Sequence, residues 1–93
     1  MREIKVEDYL YDRADGIGGL CLKLNPLWYV GIPDRLLLLP GGHAVFVETK
    51  APDGRVSQKQ ETWHMRLRKI GFHVYVLWNI DQVNGFFERY AKI

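Results

Sequence analysis

The chain has 93 residues, of which 47% are hydrophobic, 13% aromatic and 26% charged. This is the composition of one small globular domain, placed at residues 1–93, and it excludes a disordered chain or a two-domain enzyme. The 13 basic residues exceed the 11 acidic ones so slightly that a histone-like surface is excluded, and any surface for nucleic acid must be local. The single cysteine, Cys21, excludes an internal disulfide and a multi-cysteine zinc site.

The sequence carries no signal for a membrane or for secretion. No run approaches the roughly 18 consecutive apolar residues of a membrane span. The first five residues alternate between charged and apolar side chains and lack the apolar centre of a signal peptide. We therefore expect a cytoplasmic protein with no membrane partner.

The first elements in chain order are a helix and a strand. Val6, Leu10 and Ala14 recur every four residues, which predicts a helix over residues 3–15, and the glycines that follow end it. Residues 20–25 alternate apolar and polar side chains with a period of two, which is typical of a half-buried strand.

The middle of the chain predicts a β-hairpin over residues 34–50. A loop at 25–31 contains a proline, and an all-apolar run at 36–39 ends in the turn signal Pro-Gly-Gly at 40–42. Residues 44–50 form the second strand of the hairpin.

The last elements are a helix over 57–70, a buried strand over 72–78 and a final helix over 81–90. Basic side chains in the last turn of the 57–70 helix interact favourably with the negative end of the helix dipole, and Gly71 follows as the glycine that ends the helix. The resulting order α-β-β-β-α-β-α predicts an α/β fold with a mixed central sheet flanked by helices.

One group of residues in the hairpin points to chemistry. Glu48 and Lys50 lie two apart on a strand and project to the same face, and Asp34 opens the partner strand. Two carboxylates suit Mg²⁺, and a lysine beside a metal-bound water can position it for attack on phosphorus. The alternative is a set of edge-strand charges, but charged residues directly after the buried-type run 45–47 break the local pattern, as functional residues often do.

Four segments, 31–35, 40–42, 46–52 and 54–60, resemble the virus-type replication-repair nuclease (VRR-NUC) domain. This family is a branch of the PD-(D/E)xK nucleases, and the resemblance is to its minimal, phage-type stand-alone form. It implies a restriction-endonuclease-like core, and an endonuclease that hydrolyses DNA with Mg²⁺ or, in its place, Mn²⁺. It further implies preference for branched DNA such as a four-way (Holliday) junction, action in DNA repair as a homodimer, and an origin in a phage or prophage of a bacterial host.

Carried over by residue, the resemblance makes Asp34 and Glu48 metal ligands, with the Thr49 backbone carbonyl as a third. It makes Lys50 the catalytic lysine. The roles of Asp34 and Glu48 as metal ligands and of Lys50 as the catalytic lysine agree with the chemistry that the hairpin residues indicate without the resemblance.

The resemblance also places a glutamate of the first helix and a glutamine of the second near the site. Glu3 and Glu7 lie one turn apart on one helix face; we favour Glu7, and an exposed acidic face is the alternative for both. Gln60 matches the family's glutamine, although Ser57 and Gln60 also have the spacing of a capping box, which closes a helix N-terminus.

The basic residues near these motifs divide into two groups, and the first, Arg66, Arg68 and Lys69, is assigned to the solvated surface. Lys23, Arg35, Arg55 and Lys59 are assigned to phosphate contacts, which position a duplex without reading its sequence. The three histidines have no metal-like spacing and are expected to be structural or exposed. In the loop at 25–31, Trp28 and Tyr29 either stack on a base or cover the core.

The sequence therefore predicts a metal-dependent, structure-selective endodeoxyribonuclease. The alternatives are a nicking or restriction-like nuclease without junction preference, and a catalytically silent module for DNA binding or subunit interaction. A dimer interface is expected where large apolar side chains exceed what one small core absorbs, although they could instead complete the monomer core: Val74, Val76, Trp78, Phe86, Phe87 and Tyr90.

Overall fold

The computed structural model describes residues 5–25 and 27–91. Its elements follow in the order predicted from the sequence, and most bounds agree within a few residues. Position 3, where the first helix was predicted to begin, lies outside the described residues. The elements are α1 (Val6–Gly16), β1 (Leu20–Lys23), β2 (Arg35–Leu39), β3 (His43–Thr49), α2 (Gln58–Lys69), β4 (His73–Leu77) and α3 (Ile80–Ala91).

The four strands form one mixed sheet in the order β1-β2-β3-β4. The first three strands run antiparallel, and β4 lies parallel to β3. A parallel pair needs a crossover connection, and α2 supplies it. In the β2–β3 ladder Arg35 pairs with Val47, so the first residues of β2 lie beside the last residues of β3, at one end of the two strands.

One face of the sheet carries the hydrophobic core. Leu37, Val45 and Val47 pack there against α1 and α3, whose inward side chains include Leu10 and Phe86. The apolar positions of α3 recur at helical spacing, which is why this helix buries one side. Where α1 and α3 meet, the Tyr9 hydroxyl donates a 2.6 Å hydrogen bond to Asn84 Oδ1.

The opposite face of the sheet is covered by α2. The predicted capping box is present: Ser57 Oγ accepts from the Gln60 backbone N–H at 3.2 Å, and Gln60 Oε1 accepts from the Ser57 backbone N–H at 2.9 Å. The helix ends before Gly71, which has a φ of +104°, a value that a residue without Cβ adopts without strain. Leu67 and His64 are the buried side chains of α2.

β1 exposes its leucines, whereas a half-buried strand usually turns such large apolar side chains toward the core. Leu20 and Leu22 are 57% and 41% exposed, whereas Cys21 packs against the core. Cys21 shares the core face with Leu37, while the two leucines lie on the α2 face near the edge of the sheet. That helix contacts β4 at the other edge, so the leucines stay exposed.

The predicted dimer interface is wrong for three of its six residues. Val74, Phe86 and Phe87 are 5%, 0% and 3% exposed, because the monomer core absorbs them. The remaining three are half-buried: Val76, Trp78 and Tyr90. In the part of the chain that the structure describes, none of the helices has the length and apolar character needed to cross a bilayer.

Candidate active site

Asp34 lies directly before β2 and is fixed against the end of β3. Its Oδ1 accepts a hydrogen bond from the Thr49 backbone N–H at 2.9 Å, and its Oδ2 accepts one from the Thr49 hydroxyl at 2.7 Å. The Arg35 guanidinium donates to Oδ2 at 3.1 Å. Three donors therefore hold this carboxylate in one orientation.

Glu48 lies opposite Asp34. The β2–β3 register pairs Arg35 with Val47, and its continuation by one residue brings the two carboxylates across from each other on the same face. Glu48 is only 4% exposed. Burial, and next the charge of Asp34, raise the pKa of Glu48 to about 7, although Lys50 and Arg35 act in the other direction. A buried carboxyl facing a like charge favours its protonated form until a cation arrives.

Lys50 and Glu7 both line a cleft of about 540 Å³ between the start of α1, the end of β3 and the start of α3. The structure thus brings Glu7 from a distant part of the chain to the cleft that the lysine also lines. Glu3, the alternative helix glutamate, lies outside the described residues. Lys50 is half-buried, and its charge bears on Glu48 from the cleft side.

Gln60 occupies the third position of α2. Its side-chain oxygen is engaged by the Ser57 backbone in the capping box, so the amide nitrogen is the part left for any contact with the site. Gln60 lies one helical turn before His64, and residues four apart share a helix face. The predicted capping box that includes Gln60 is therefore confirmed, and the catalytic role of Gln60 stays a prediction.

His64 is a residue that the sequence argument left out of the site. Its Nε2 lies 3.9 Å from Glu48 Oε1, and the two side chains are 4% and 6% exposed. Burial, and then the charges of Arg68 and Lys50, lower the pKa of His64. A neutral imidazole therefore faces Glu48, and the contact is not an ion pair. The signal in the sequence that could have found His64 is its position four residues after Gln60, on the same face of α2.

The donor set fits a hard divalent cation. Asp34 and Glu48 offer carboxylate oxygens, and the backbone carbonyl of Thr49, the residue directly after Glu48, can add a third oxygen. Within the described residues no group of three or more His, Cys, Asp or Glu side chains is placed to hold a metal. Two carboxylates with a backbone carbonyl and water suit Mg²⁺, which keeps several of its waters.

The predicted DNA-contacting cations differ in their surroundings. Lys23, Arg55 and Lys59 are exposed. Arg35 is not a free surface cation, because its side chain is 13% exposed and its guanidinium pairs with Asp34 at 3.1 Å. The structure thus gives Arg35 a role in holding Asp34, and its contact with DNA stays a prediction.

The loop before Asp34 is pinned to α2. Trp63 Nε1 donates to the Val30 carbonyl at 3.0 Å, and the Tyr29 ring meets the Trp63 ring edge-on with centroids 5.6 Å apart. Trp28, by contrast, is 84% exposed. Tyr29 therefore packs one side against α2 while remaining 58% exposed, and Trp28 is the more accessible of the two loop aromatics.

The fold is an α/β domain that places two carboxylates and a lysine at the end of a hairpin, as the sequence predicted. The family model of the VRR-NUC domain matches residues 17–78, and the chain belongs to this family. A solved structure described as a VRR_NUC domain is 36% identical, with a TM-score of 0.84 over 91% of this chain and 92% of that one. "Putative nuclease p44" of Acyrthosiphon pisum secondary endosymbiont phage 1 is 39% identical over 77 residues, 83% of each chain. The predicted family and fold are confirmed.

Proposed function

We propose that this nuclease-family protein is a Mg²⁺-dependent endodeoxyribonuclease that cuts branched DNA, with Mn²⁺ able to substitute. The observation that carries the proposal is the buried Glu48 across from the partly exposed Asp34, with the charge of Lys50 acting on Glu48. A buried carboxylate beside a second carboxylate is unfavourable in isolation, and a bound divalent cation would offset their charge. Membership in the VRR-NUC family supports the same chemistry.

Each residue of the site has a defined task in this reaction. Asp34, Glu48 and the Thr49 carbonyl would hold the cation, which would act as a Lewis acid toward the phosphate and lower the pKa of a water. Lys50 offers three N–H donors to the attacking water and to the anionic phosphate oxygens. The water oxygen forms the new bond to phosphorus and gives up a proton to solvent, while one phosphodiester P–O bond breaks and the departing oxygen keeps the electron pair and takes up a proton from solvent. Gln60 is proposed to help orient the water.

The preference for a four-way junction and the homodimer belong together in the proposal. A junction is resolved by two incisions on strands of like polarity, and a two-fold symmetric pair offers two identical sites at a fixed separation. Lys23, Arg55 and Lys59 are exposed cations that can contact backbone phosphates. The name of the phage relative, which describes a nuclease, supports the enzymatic part of this proposal.

The test is cleavage of matched DNA substrates with Mg²⁺ by purified protein. Asp34→Ala, Glu48→Ala and Lys50→Ala should each abolish cleavage while DNA binding survives, because they remove ligand or water-positioning groups without removing the surface cations. Asp53→Ala, an exposed acidic residue in the loop after β3, is the matched control and should retain wild-type turnover.

The choice of substrate separates the alternatives. Faster cutting of a four-way junction than of a linear duplex of the same sequence supports junction selectivity, and equal rates indicate a nuclease without junction preference. Near-wild-type turnover by Asp34→Ala would reject the site. Binding without cleavage in any metal would indicate a silent DNA-binding module.

A further inference from the structure

His64 and Glu48 share an unsatisfied contact in the protein interior. Within the described residues, the fully buried side-chain polar atoms without a hydrogen-bond partner are Glu48 Oε1 and His64 Nε2. These two atoms face each other at 3.9 Å, with both side chains more than nine-tenths buried. Buried polar atoms are nearly always paired, so two that lie side by side without partners require an explanation.

The packing of α2 directs His64 toward Glu48. Trp63, the preceding residue, donates to the Val30 carbonyl at 3.0 Å, and Arg68 donates through Nη2 to the Val74 carbonyl at 2.8 Å. These two contacts, one before His64 and one a turn after it, fix the rotation of the helix about its axis. The capping box at Ser57 fixes where the helix begins. His64 is therefore held against β3 by contacts outside the site.

The 3.9 Å separation is longer than a hydrogen bond. Hydrogen bonds of a catalytic site are often long before the ligand binds and shorten in the complex. A cation that fixes the Glu48 carboxylate in its ionised form would convert Oε1 into a strong acceptor facing the imidazole. Charge-assisted hydrogen bonds of this kind are short.

We propose that His64 is a positioning residue for the metal-binding carboxylate: its Nε2–H donates to Glu48 Oε1 and leaves Oε2 for the cation. The hydrogen bond fixes the plane of the carboxylate relative to Asp34. Groups that orient a metal ligand in this way affect metal affinity about 10–100-fold when they are removed. The proposal rests on the proposed function only in that Glu48 binds a divalent cation.

The first experiment measures Mn²⁺ binding by calorimetry on the full chain without DNA. His64→Leu, which fills the same buried space with an apolar side chain and removes the donor, should weaken binding about 10–100-fold. His64→Gln, whose amide can donate from a similar position, should stay within a few-fold of wild type. His73→Leu changes an exposed histidine on β4 and should leave binding unchanged. Thermal unfolding of each variant confirms that it is folded.

Two results of this experiment overturn the proposal. One is wild-type Mn²⁺ affinity in His64→Leu. The other is a loss in His64→Gln as large as in folded His64→Leu, since the imidazole would then matter for its shape and not as a donor.

A second experiment needs no metal and separates this proposal from the proposed function. In ¹⁵N-labelled protein at a pH of about 8, above the ordinary histidine pKa of about 6.5, the ¹⁵N shifts of His64 should show the proton on Nε2. A proton on Nδ1 overturns the proposal whether or not the protein binds metal. A proton on Nε2 in a wild-type protein that binds no Mn²⁺ supports the hydrogen bond from His64 to Glu48 but rejects the metal-dependent function, and with it the role of that bond in metal binding.

Discussion

At the scale of single residues, Glu48 makes the folded protein sensitive to pH. Its pKa rises from an ordinary value of 4.5 to about 7, chiefly because of burial. Between these values the folded state keeps a proton that the unfolded state has already lost. The free energy of unfolding therefore decreases as the pH rises through this window, which is the reverse of the effect of a carboxylate with a depressed pKa.

We expect Glu48→Gln to remove this part of the pH dependence. The variant cannot ionise, so in metal-free buffer its unfolding free energy should decrease less between pH 4.5 and about 7 than that of the wild type. Denaturant unfolding at several pH values measures the slope. Glu88→Gln, at an exposed position of α3, is the control; a Glu48→Gln slope equal to that of the wild type would contradict the expectation.

Glu7 gives a second expectation at this scale. It lines the same cleft as Lys50, so Glu7→Gln should lower the cleavage rate about tenfold or more, the cost typical of losing a group that supports a metal site. Initial rates with saturating Mg²⁺ compare it with Asp8→Asn, an exposed neighbour on α1. Glu3→Gln should have the smaller effect, and the opposite ranking would move the role to Glu3.

The sequence predicted that Asp34 lies across from Glu48 because hairpin geometry is simple. Asp34 and Glu48 meet because an antiparallel register follows from the turn between them. His64 was missed because its approach to Glu48 depends on the rotation of α2, which contacts far along the chain determine. Arg35 was assigned to the surface because the sequence does not show that Asp34 captures its guanidinium.

At the scale of elements, the packing of the loop before Asp34 on α2 requires a glycine. Gly31 has a φ of +99°, and a Cβ there would lie 2.7 Å from the backbone carbon and oxygen of Lys59. Gly18 also has a positive φ, of +82°, but nothing lies within 4 Å of its Cβ position. The two glycines share the backbone requirement and differ only in steric contact.

Gly31→Ala should therefore destabilise the protein more than Gly18→Ala. We expect Gly18→Ala to cost about 1–2 kcal/mol, the usual penalty of an L-residue in the left-handed region, and Gly31→Ala to cost more because a backbone must move. Since Asp34 follows three residues later, Gly31→Ala should also slow cleavage. Chemical unfolding and initial rates provide the measurements; equal stabilities of the two variants would contradict the steric argument.

The elements themselves were predictable because their signals are local. α2, which lies between the capping box and Gly71, begins and ends within one residue of the predicted range 57–70. Which side of β1 is buried was not predictable, because it depends on how far α2 extends across the sheet. Alternation of side chains gives a period but does not identify the covered face.

At the scale of the whole molecule, the apolar surface that remains exposed lies away from α3. Leu20, Leu22 and Leu38 are 57%, 41% and 37% exposed; Leu20 and Leu38 are cross-strand partners, and Leu22 lies on the same face two residues along β1. β1 is also an edge strand of the sheet, and such an edge offers backbone groups for pairing with another chain. In the C-terminal part, where the sequence predicted a surplus of apolar surface, the core buries Val74, Phe86 and Phe87 and leaves three further side chains half-buried.

We expect a dimer mass by light scattering at micromolar concentration. A chain with a radius of gyration of 13.0 Å and one candidate site needs a second copy to cut two strands of a junction. Leu22→Lys should shift the protein toward monomer, because it places a charge on the exposed face of β1. Leu27→Lys, at a position 78% exposed in the loop, should not. A wild-type monomer that stays monomeric on junction DNA would reject the dimer.

The pairing of α1 with α3 has a consequence for the order in which the catalytic site is completed. Asp34, Glu48, Lys50 and His64 belong to one continuous stretch of chain, so the hairpin and its crossover can assemble them through short loop closures. Glu7 arrives through α1, whose contact with α3 joins Tyr9 to Asn84 across 75 positions. Local opening of α1 would carry Glu7 out of the cleft while the hairpin residues stay in place. With the role proposed for Glu7, the site would be complete only while α1 is packed against α3.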